Sequence, residues 1–283
     1  MIKGYIRTRT VSEAIETLEN NRPWGRILAG GTDILSGIKA VRSAKSSPRV
    51  LVDVKRIHYL RGIRKQSGWL VIGSVTTLYE LATSGLVQDL FPVLAQAAGK
   101  IGSAELRNLG TVGGNVGTKS TAADLLAPLT GLGARAEIHD ETGPRYVSFQ
   151  ELLTKEWHKL GRRSILTTIQ IPIIPAVKWG YCRWTRESMG RPYIVALAGL
   201  ERQGDEESYL FTAVLGGAGL WPRAAATKIP AADLFRPGSV ADVADRAAEE
   251  ILSVSRKKGE DYRTAAARSA LGEALEAACI QVG

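Results

Sequence analysis

Two short stretches hold the residue types and spacings that could do chemistry. In Leu28-Ala29-Gly30-Gly31-Thr32-Asp33-Ile34 a glycine pair directly follows an apolar run, and in Thr111-Val112-Gly113-Gly114-Asn115 the pair lies between Gly110 and Gly117, giving four glycines within eight residues. Glycine tolerates positive φ and leaves backbone N–H groups unshielded by a Cβ. A helix starting beside such a loop adds partial positive charge, so a diphosphate could be held without any lysine. Alone, the first loop is equally well a structural turn. The second demands more: each glycine costs about 0.5–1 kcal/mol relative to alanine where the backbone is regular, so this permissive a segment implies unusual dihedrals or close ligand approach. Together the two loops could cradle one diphosphate from both sides.

Other chemistries find little support. Neither stretch reads G-x-G-x-x-G or G-x-x-x-x-G-K-[ST], so Rossmann and P-loop readings fail at their defining positions. Cys182 and Cys279 are far apart and have no metal-ligand spacing, which argues against a zinc site, a disulfide framework or an iron–sulfur cluster on this chain. His58, His139 and His158 fall in no recognisable catalytic setting. No catalytic residue and no metal ligand is therefore assigned. The net charge of +9 invites nucleic acid, but Lys and Arg are scattered, aromatics make up 6%, and no binding motif accompanies them. A basic face for an acidic partner or an anionic cofactor accounts for the charge better. No run approaches the roughly 20 apolar residues that cross a bilayer, and Lys3, Arg7 and Arg9 are not followed by a signal-peptide core. The expectation is a cytoplasmic protein without membrane insertion or nucleic-acid binding.

The elements that must position the loops follow from periodicity. A capping-box pattern at Thr10 to Glu13 opens a first helix that Pro23 ends. Residues 26–29 read as a buried strand running into Gly30-Gly31, with a helical turn at Ile34, Leu35 and Ile38 beyond it. Strands are expected at 49–54 and 69–75, then a capped helix from Thr77 and a helical stretch 86–98 that Pro92 interrupts or restarts. Neither periodicity fits 99–119. A helix at 122–132 and strands at 134–138 and 164–171 complete this part, with a turn at Asp140 to Gly143. Pro172 and Pro175 bracket a linker. Beyond it come four strands, 178–186, 194–201, 209–215 and 220–225, with an exposed connection at Asp205-Glu206, then two amphipathic helices, 240–253 and 262–280.

The two motifs also match something known. Leu28 to Leu35, and Leu106-Arg107-Asn108-Leu109-Gly110 running on to Asn115 and then to Ala123-Asp124, resemble the FAD-binding signature of the medium subunit of molybdenum hydroxylases, the xanthine dehydrogenase and CO dehydrogenase family. The resemblance reaches the tail at Asp261-Tyr262-Arg263. It implies an α+β fold: an FAD-binding region of the PCMH or vanillyl-alcohol-oxidase type over 1–175, made of two α/β subdomains (about 1–57 and 58–175), then a C-terminal domain of CO dehydrogenase flavoprotein type over 176–283, with an antiparallel sheet and helices.

On that resemblance Leu28, Ala29, Gly30, Gly31, Thr32, Asp33 and Ile34, with Thr111, Gly113, Gly114 and Asn115, surround the FAD diphosphate. Asp124 matches an aspartate on the cofactor's polar side, Lys39 a recurring lysine, and Tyr193 an aromatic beside the isoalloxazine ring. Each has a plainer alternative, such as a solvated lysine or a core tyrosine. Where relatives carry Ser-Pro this chain has Lys119-Ser120-Thr121, and Lys119 could tune the flavin or simply be solvated. The implied assembly has a large molybdenum-cofactor subunit and a small subunit with two [2Fe-2S] clusters, as a dimer of heterotrimers. Electrons would reach FAD on this chain and leave to an external acceptor. The rival readings are a stand-alone flavin oxidase or dehydrogenase of the same fold, and a non-enzymatic assembly or nucleic-acid-binding module.

Overall fold

The structure, a computed structural model, describes residues 2–40, 49–118, 120–187, 189–204, 207–236, 238–253 and 261–282. The chain divides into two compact units: Met1–Leu86 with Ser103–Lys119 and Gly133–Ile173, and Val87–Gly102 with Ser120–Leu132 and Ile174–Gly283. A contiguous division near 175 marks where the second unit's sheet begins. Compactness instead gives the second unit two earlier stretches, because those stretches pack on that sheet.

The first unit holds two sheets. Strands β1 (Gly4–Arg7), β2 (Gly25–Leu28) and β3 (Val50–Asp53) form a parallel sheet in the order β1-β3-β2. The helix Val11–Asn20 makes the crossover from β1 to β2. Its N-cap Thr10 hydroxyl accepts the Glu13 N–H at 3.1 Å, while the Glu13 carboxylate accepts the Arg9 N–H at 2.7 Å. Ala14, Ile15 and Leu18, spaced to fall on one helix face, are buried with Val52, Val54 and Ile57. Burying each larger side chain contributes roughly 1.5–3 kcal/mol.

The other sheet contains β4 (Ile63–Gln66), β5 (Trp69–Gly73), β6 (Arg135–Asp140), β7 (Gly143–Ser148) and β8 (Ile165–Pro172), in the order β4-β5-β8-β6-β7 with antiparallel pairing throughout. Its edge strands β4 and β7 escaped the sequence reading, as did β1. They are short or rich in polar residues, and β7 carries Pro144, which only an edge position tolerates.

The second unit is built on an antiparallel sheet, β12-β11-β10-β9, from β9 (Val177–Thr185), β10 (Pro192–Arg202), β11 (Ser208–Gly217) and β12 (Leu220–Pro230). The expected connection at Asp205-Glu206 lies outside the described residues. Helices Ser239–Ser253 and Asp261–Cys279 cover one face, burying Val243, Ile251, Leu271 and Leu275 among Ala196, Ala198 and Phe211. Small residues allow a close approach there: a Cβ on Gly180 would overlap the Ala274 carbonyl oxygen and sit 2.7 Å from the Ala278 nitrogen. The helix Leu126–Gly131 packs on β10 and β11, with Gly131 leaving room for Leu197 and Val214.

The segment 99–119, read from sequence as irregular, contains two short helices, Ala104–Leu109 and Val112–Gly117. Glycine disfavours helix, but here tertiary hydrogen bonds and hydroxyl caps override propensity. The Ser103 hydroxyl accepts the Leu106 N–H, and Thr111 caps the second helix. No helix of the described residues is long and apolar enough to cross a membrane.

Candidate functional site

Strand β2 ends at Leu28 and the chain turns at Gly31, whose φ of +79° only glycine adopts without strain, before the helix Thr32–Ala40 begins. The loop thus leaves the carboxyl end of a parallel strand, where open α/β sheets place ligands. A Cβ on Gly30 would overlap the Leu109 carbonyl oxygen and lie 2.9 Å from the Gly110 Cα. The backbones of the two glycine motifs therefore touch directly, which explains the glycine at position 30; a Cβ on Gly110 would instead crowd the Leu106 carbonyl oxygen at 3.0 Å.

The second motif is anchored from beneath. The Thr77 and Thr111 backbones form an isolated bridge, the Leu78 N–H donates to the Gly110 carbonyl at 2.9 Å, and the Val112 N–H to the Thr76 carbonyl at 2.9 Å. The Gly113 N–H donates to the Ser74 carbonyl at 2.8 Å, so close that a Cβ on Gly113 would stand 2.6 Å from the Ser74 Cβ. The Gly114 N–H donates to the Thr111 hydroxyl at 3.0 Å, and the Asn115 N–H to the Thr111 carbonyl at 2.8 Å. At the helix end, the buried Trp157 indole donates to the Val116 carbonyl at 2.8 Å.

A cavity of about 320 Å³ opens where the motifs meet. Ala29 to Ile34 line it from the first loop, and Thr111, Gly113, Gly114, Gly117 and Thr118 from the second. Ser74 and Val75 lie beneath, and Leu160, Gly161 and Arg162 close another side with Arg26 of β2. The Ile27 N–H donates to the Gly161 carbonyl at 3.1 Å, tying that wall to β2.

The donors are distributed unevenly. Both motifs were expected to offer N–H groups to a ligand. In the second, the N–H groups of Val112, Gly113 and Gly114, which a helix's first turn leaves without helical partners, are taken by the Thr76 and Ser74 carbonyls and the Thr111 hydroxyl, and that of Asn115 by the Thr111 carbonyl. In the first, the N–H groups of Gly30, Gly31, Thr32 and Ile34 have no acceptor among the described residues. The first loop can donate; the second supplies shape.

The charges are two guanidiniums and one carboxylate: Arg26, Arg162 and Asp33. Arg26 donates to the carbonyls of Pro23 at 2.7 Å and Gly25 at 2.6 Å, which fixes its head without neutralising it. Burial, and then the positive charge of Arg162, lower its guanidinium from the ordinary arginine value. Sequence reading passed over both arginines. Arg26 stood in the recognised strand, but nothing in one sequence says that the 160–162 turn folds back beside it.

Of the other expected site residues, Leu28 is buried behind the loop rather than lining the cavity, and Asn115 shares the second helix without lining it. The Lys39 side chain and Lys119 lie outside the described residues. Asp124 and Tyr193 belong to the second unit. The Asp124 carboxylate is buried and accepts from the Arg183 Nε at 2.6 Å, while Arg183 also donates to the Gly190 carbonyl at 2.7 Å. Burial pushes the Asp124 carboxyl up, against the pull of Arg183. The half-buried Tyr193 ring has the Arg186 and Arg263 guanidiniums 5.1 and 5.4 Å from its centroid, and Tyr262 at 5.8 Å.

Comparison with known proteins bears on the same site. Residues 1–174 match the family model described as the FAD binding domain in molybdopterin dehydrogenase. The xanthine dehydrogenase FAD-binding subunit of Escherichia coli O157:H7 is 37% identical over 145 residues, 51% of this chain and 48% of that one. The chain thus matches about half the length of that relative. The carbon monoxide dehydrogenase medium chain of Hydrogenophaga pseudoflava is 26% identical over 281 residues, 97% of this chain and 96% of its own. A solved carbon monoxide dehydrogenase from Hydrogenophaga pseudoflava, lacking the Mo-pyranopterin moiety of its cofactor, superimposes with a TM-score of 0.83 at 24% identity. It covers 99% of this chain and 98% of that one, which shows a shared fold.

Proposed function

Because the chain belongs to the family of FAD-binding domains in molybdopterin dehydrogenases, we propose that it is the flavoprotein subunit of a molybdenum-containing hydroxylase or dehydrogenase. In this reading it takes electrons from [2Fe-2S] clusters of a small partner subunit and passes them to an external acceptor. A large subunit carries the molybdenum cofactor and performs the hydroxylation, and the complex is a dimer of heterotrimers.

The observation that carries the reading is the shared cavity of the two glycine motifs. Its residues fit FAD. Four N–H groups with no acceptor among the described residues stand where a diphosphate needs donors, at the positive end of the helix Thr32–Ala40. Gly113 and Gly114 keep the opposite wall free of side chains, so that a ligand can approach backbone closely. Val75, Leu160, Ile165 and Leu166 give the cavity an apolar side that excludes water.

When bound, FAD supplies the ability to accept electrons one at a time and release them in pairs. The chain's part is to hold and orient it: Gly30, Gly31, Thr32 and Ile34 donate hydrogen bonds, Thr111 locks the facing helix turn, and Ser74 fixes Gly113. On the family resemblance alone, Asp124 and Tyr193 are proposed as further residues that touch the cofactor. Native purification tests the proposal. A yellow complex with a molybdenum-binding large chain and an iron–sulfur small chain is expected, whereas a yellow monomer that oxidises substrate alone would overturn it.

A further inference from the structure

The charges of the cavity point beyond the glycine motifs. Backbone N–H groups are neutral donors, and the helix Thr32–Ala40 carries Asp33 in its first turn, a carboxylate that offsets the positive field of that helix end. A diphosphate carries two negative charges, so neutral donors beside a carboxylate leave most of that charge uncompensated. Arg26 and Arg162 line the same cavity. Among the described residues neither guanidinium pairs with a carboxylate, and Arg26 donates to the carbonyls of Pro23 and Gly25. Holding two like charges near each other without a counter-ion is costly in a partly buried place.

We propose that Arg26 and Arg162 form the cationic subsite of this cavity and receive the phosphate groups of a bound nucleoside diphosphate, making the diphosphate a main determinant of binding. The inference rests on the FAD reading and deepens it. The like-charge effect of Arg162 on Arg26 supports the pairing, because an anion between them relieves it. The tie from Ile27 to Gly161 holds the two arginines on one wall, Arg26 from β2 and Arg162 from the turn before β8. Gly161 turns there with φ of +71°, which directs the chain back toward β2.

The test uses the full FAD-free chain, with FAD and ADP as probes in titration calorimetry. Arg162 is exposed, so Arg162→Gln should not lower the thermal midpoint of the free chain, and relief of the repulsion on Arg26 should raise it slightly. It should weaken ADP and FAD about tenfold each, the loss of one charged contact. Arg162→Lys should stay within about threefold of wild type, since a lysine keeps the charge though not the fork. The double variant with Arg26→Gln should lose about a hundredfold, and the wild-type affinity should fall as salt rises from about 0.05 to about 0.5 M, more steeply than that of Arg162→Gln. Unchanged ADP affinity in Arg162→Gln, or equal salt dependence in wild type and variant, would overturn the subsite while leaving FAD binding intact. Wild-type chain that binds neither ADP nor FAD would instead overturn the FAD reading itself.

Discussion

Gly117 offers a clean perturbation of the cavity. It ends the helix Val112–Gly117 and lines the cavity, yet beyond its own helix and chain neighbours a Cβ built on it meets no atom of the described residues within 4 Å. Its backbone needs no left-handed conformation. Gly117→Ala should therefore stabilise the free chain by up to about 1 kcal/mol through helix propensity. In Gly117→Leu the side chain has no protein niche to fill, so it extends into the space assigned to the ligand. Overpacking of that kind costs about 1–3 kcal/mol, which lowers FAD affinity by about 5- to 150-fold. With FAD at a hundred times the wild-type Kd, binding stabilises wild type by about 2.7 kcal/mol. The same concentration gives about 1.4 kcal/mol after a tenfold loss and about 0.4 kcal/mol after a hundredfold loss. Thermal melts of both proteins with and without FAD read these differences directly. A leucine variant with an unchanged free midpoint and the full wild-type FAD increment would refute the placement of the cofactor in this cavity.

Gly114→Val acts differently from a simple block. Its Cβ would stand 2.7 Å from the Thr111 hydroxyl, so the cap that costs about 1 kcal/mol to lose is broken along with FAD retention, as melts and flavin content should show. Trp157→Phe leaves the Val116 carbonyl without its indole donor, and urea titration should show a loss of about 1–3 kcal/mol. Gly180→Ala drives a methyl into the Ala274 carbonyl and should cost about 1–3 kcal/mol or more, measured as a lower unfolding midpoint. Burial pushes the Glu137 carboxyl up, but hydrogen bonds from Thr167, Tyr59 and Thr168 and the nearby His139 outweigh it and hold the group below the ordinary value of 4.5. Its stabilisation is present above that value and is lost as pH falls through the lower folded pKa. Urea melts from pH 6 down to about 3 should show that loss in wild type, and a smaller one in Glu137→Gln.

The legible parts of this fold were those where one periodicity dominates. The helix Val11–Asn20 and the capped helix Leu78–Thr83 announced themselves through Thr10 and Thr77, and β10 and β11 of the second unit through their largely apolar runs. The restart at Pro92 was visible because proline suits a first helical turn. Edge strands stayed hidden, since β4 and β7 carry few apolar residues to alternate. The helix Val112–Gly117 stayed hidden for a deeper reason: Gly113 and Gly114 are dictated by contacts with Ser74 and Thr111, which arise only on folding. The site followed the same division. The glycine motifs could be read, while Arg162 reaches the cavity through a turn whose position depends on the whole five-stranded sheet.

The central claim is that the two glycine motifs jointly hold one FAD, and the most direct measurement is the flavin content of the purified chain. Acid treatment of the purified chain should release one FAD per chain, and the FAD-free chain should regain its flavin spectrum on titration with a single equivalent. A colourless chain that takes up no FAD, while melting cooperatively, would contradict it.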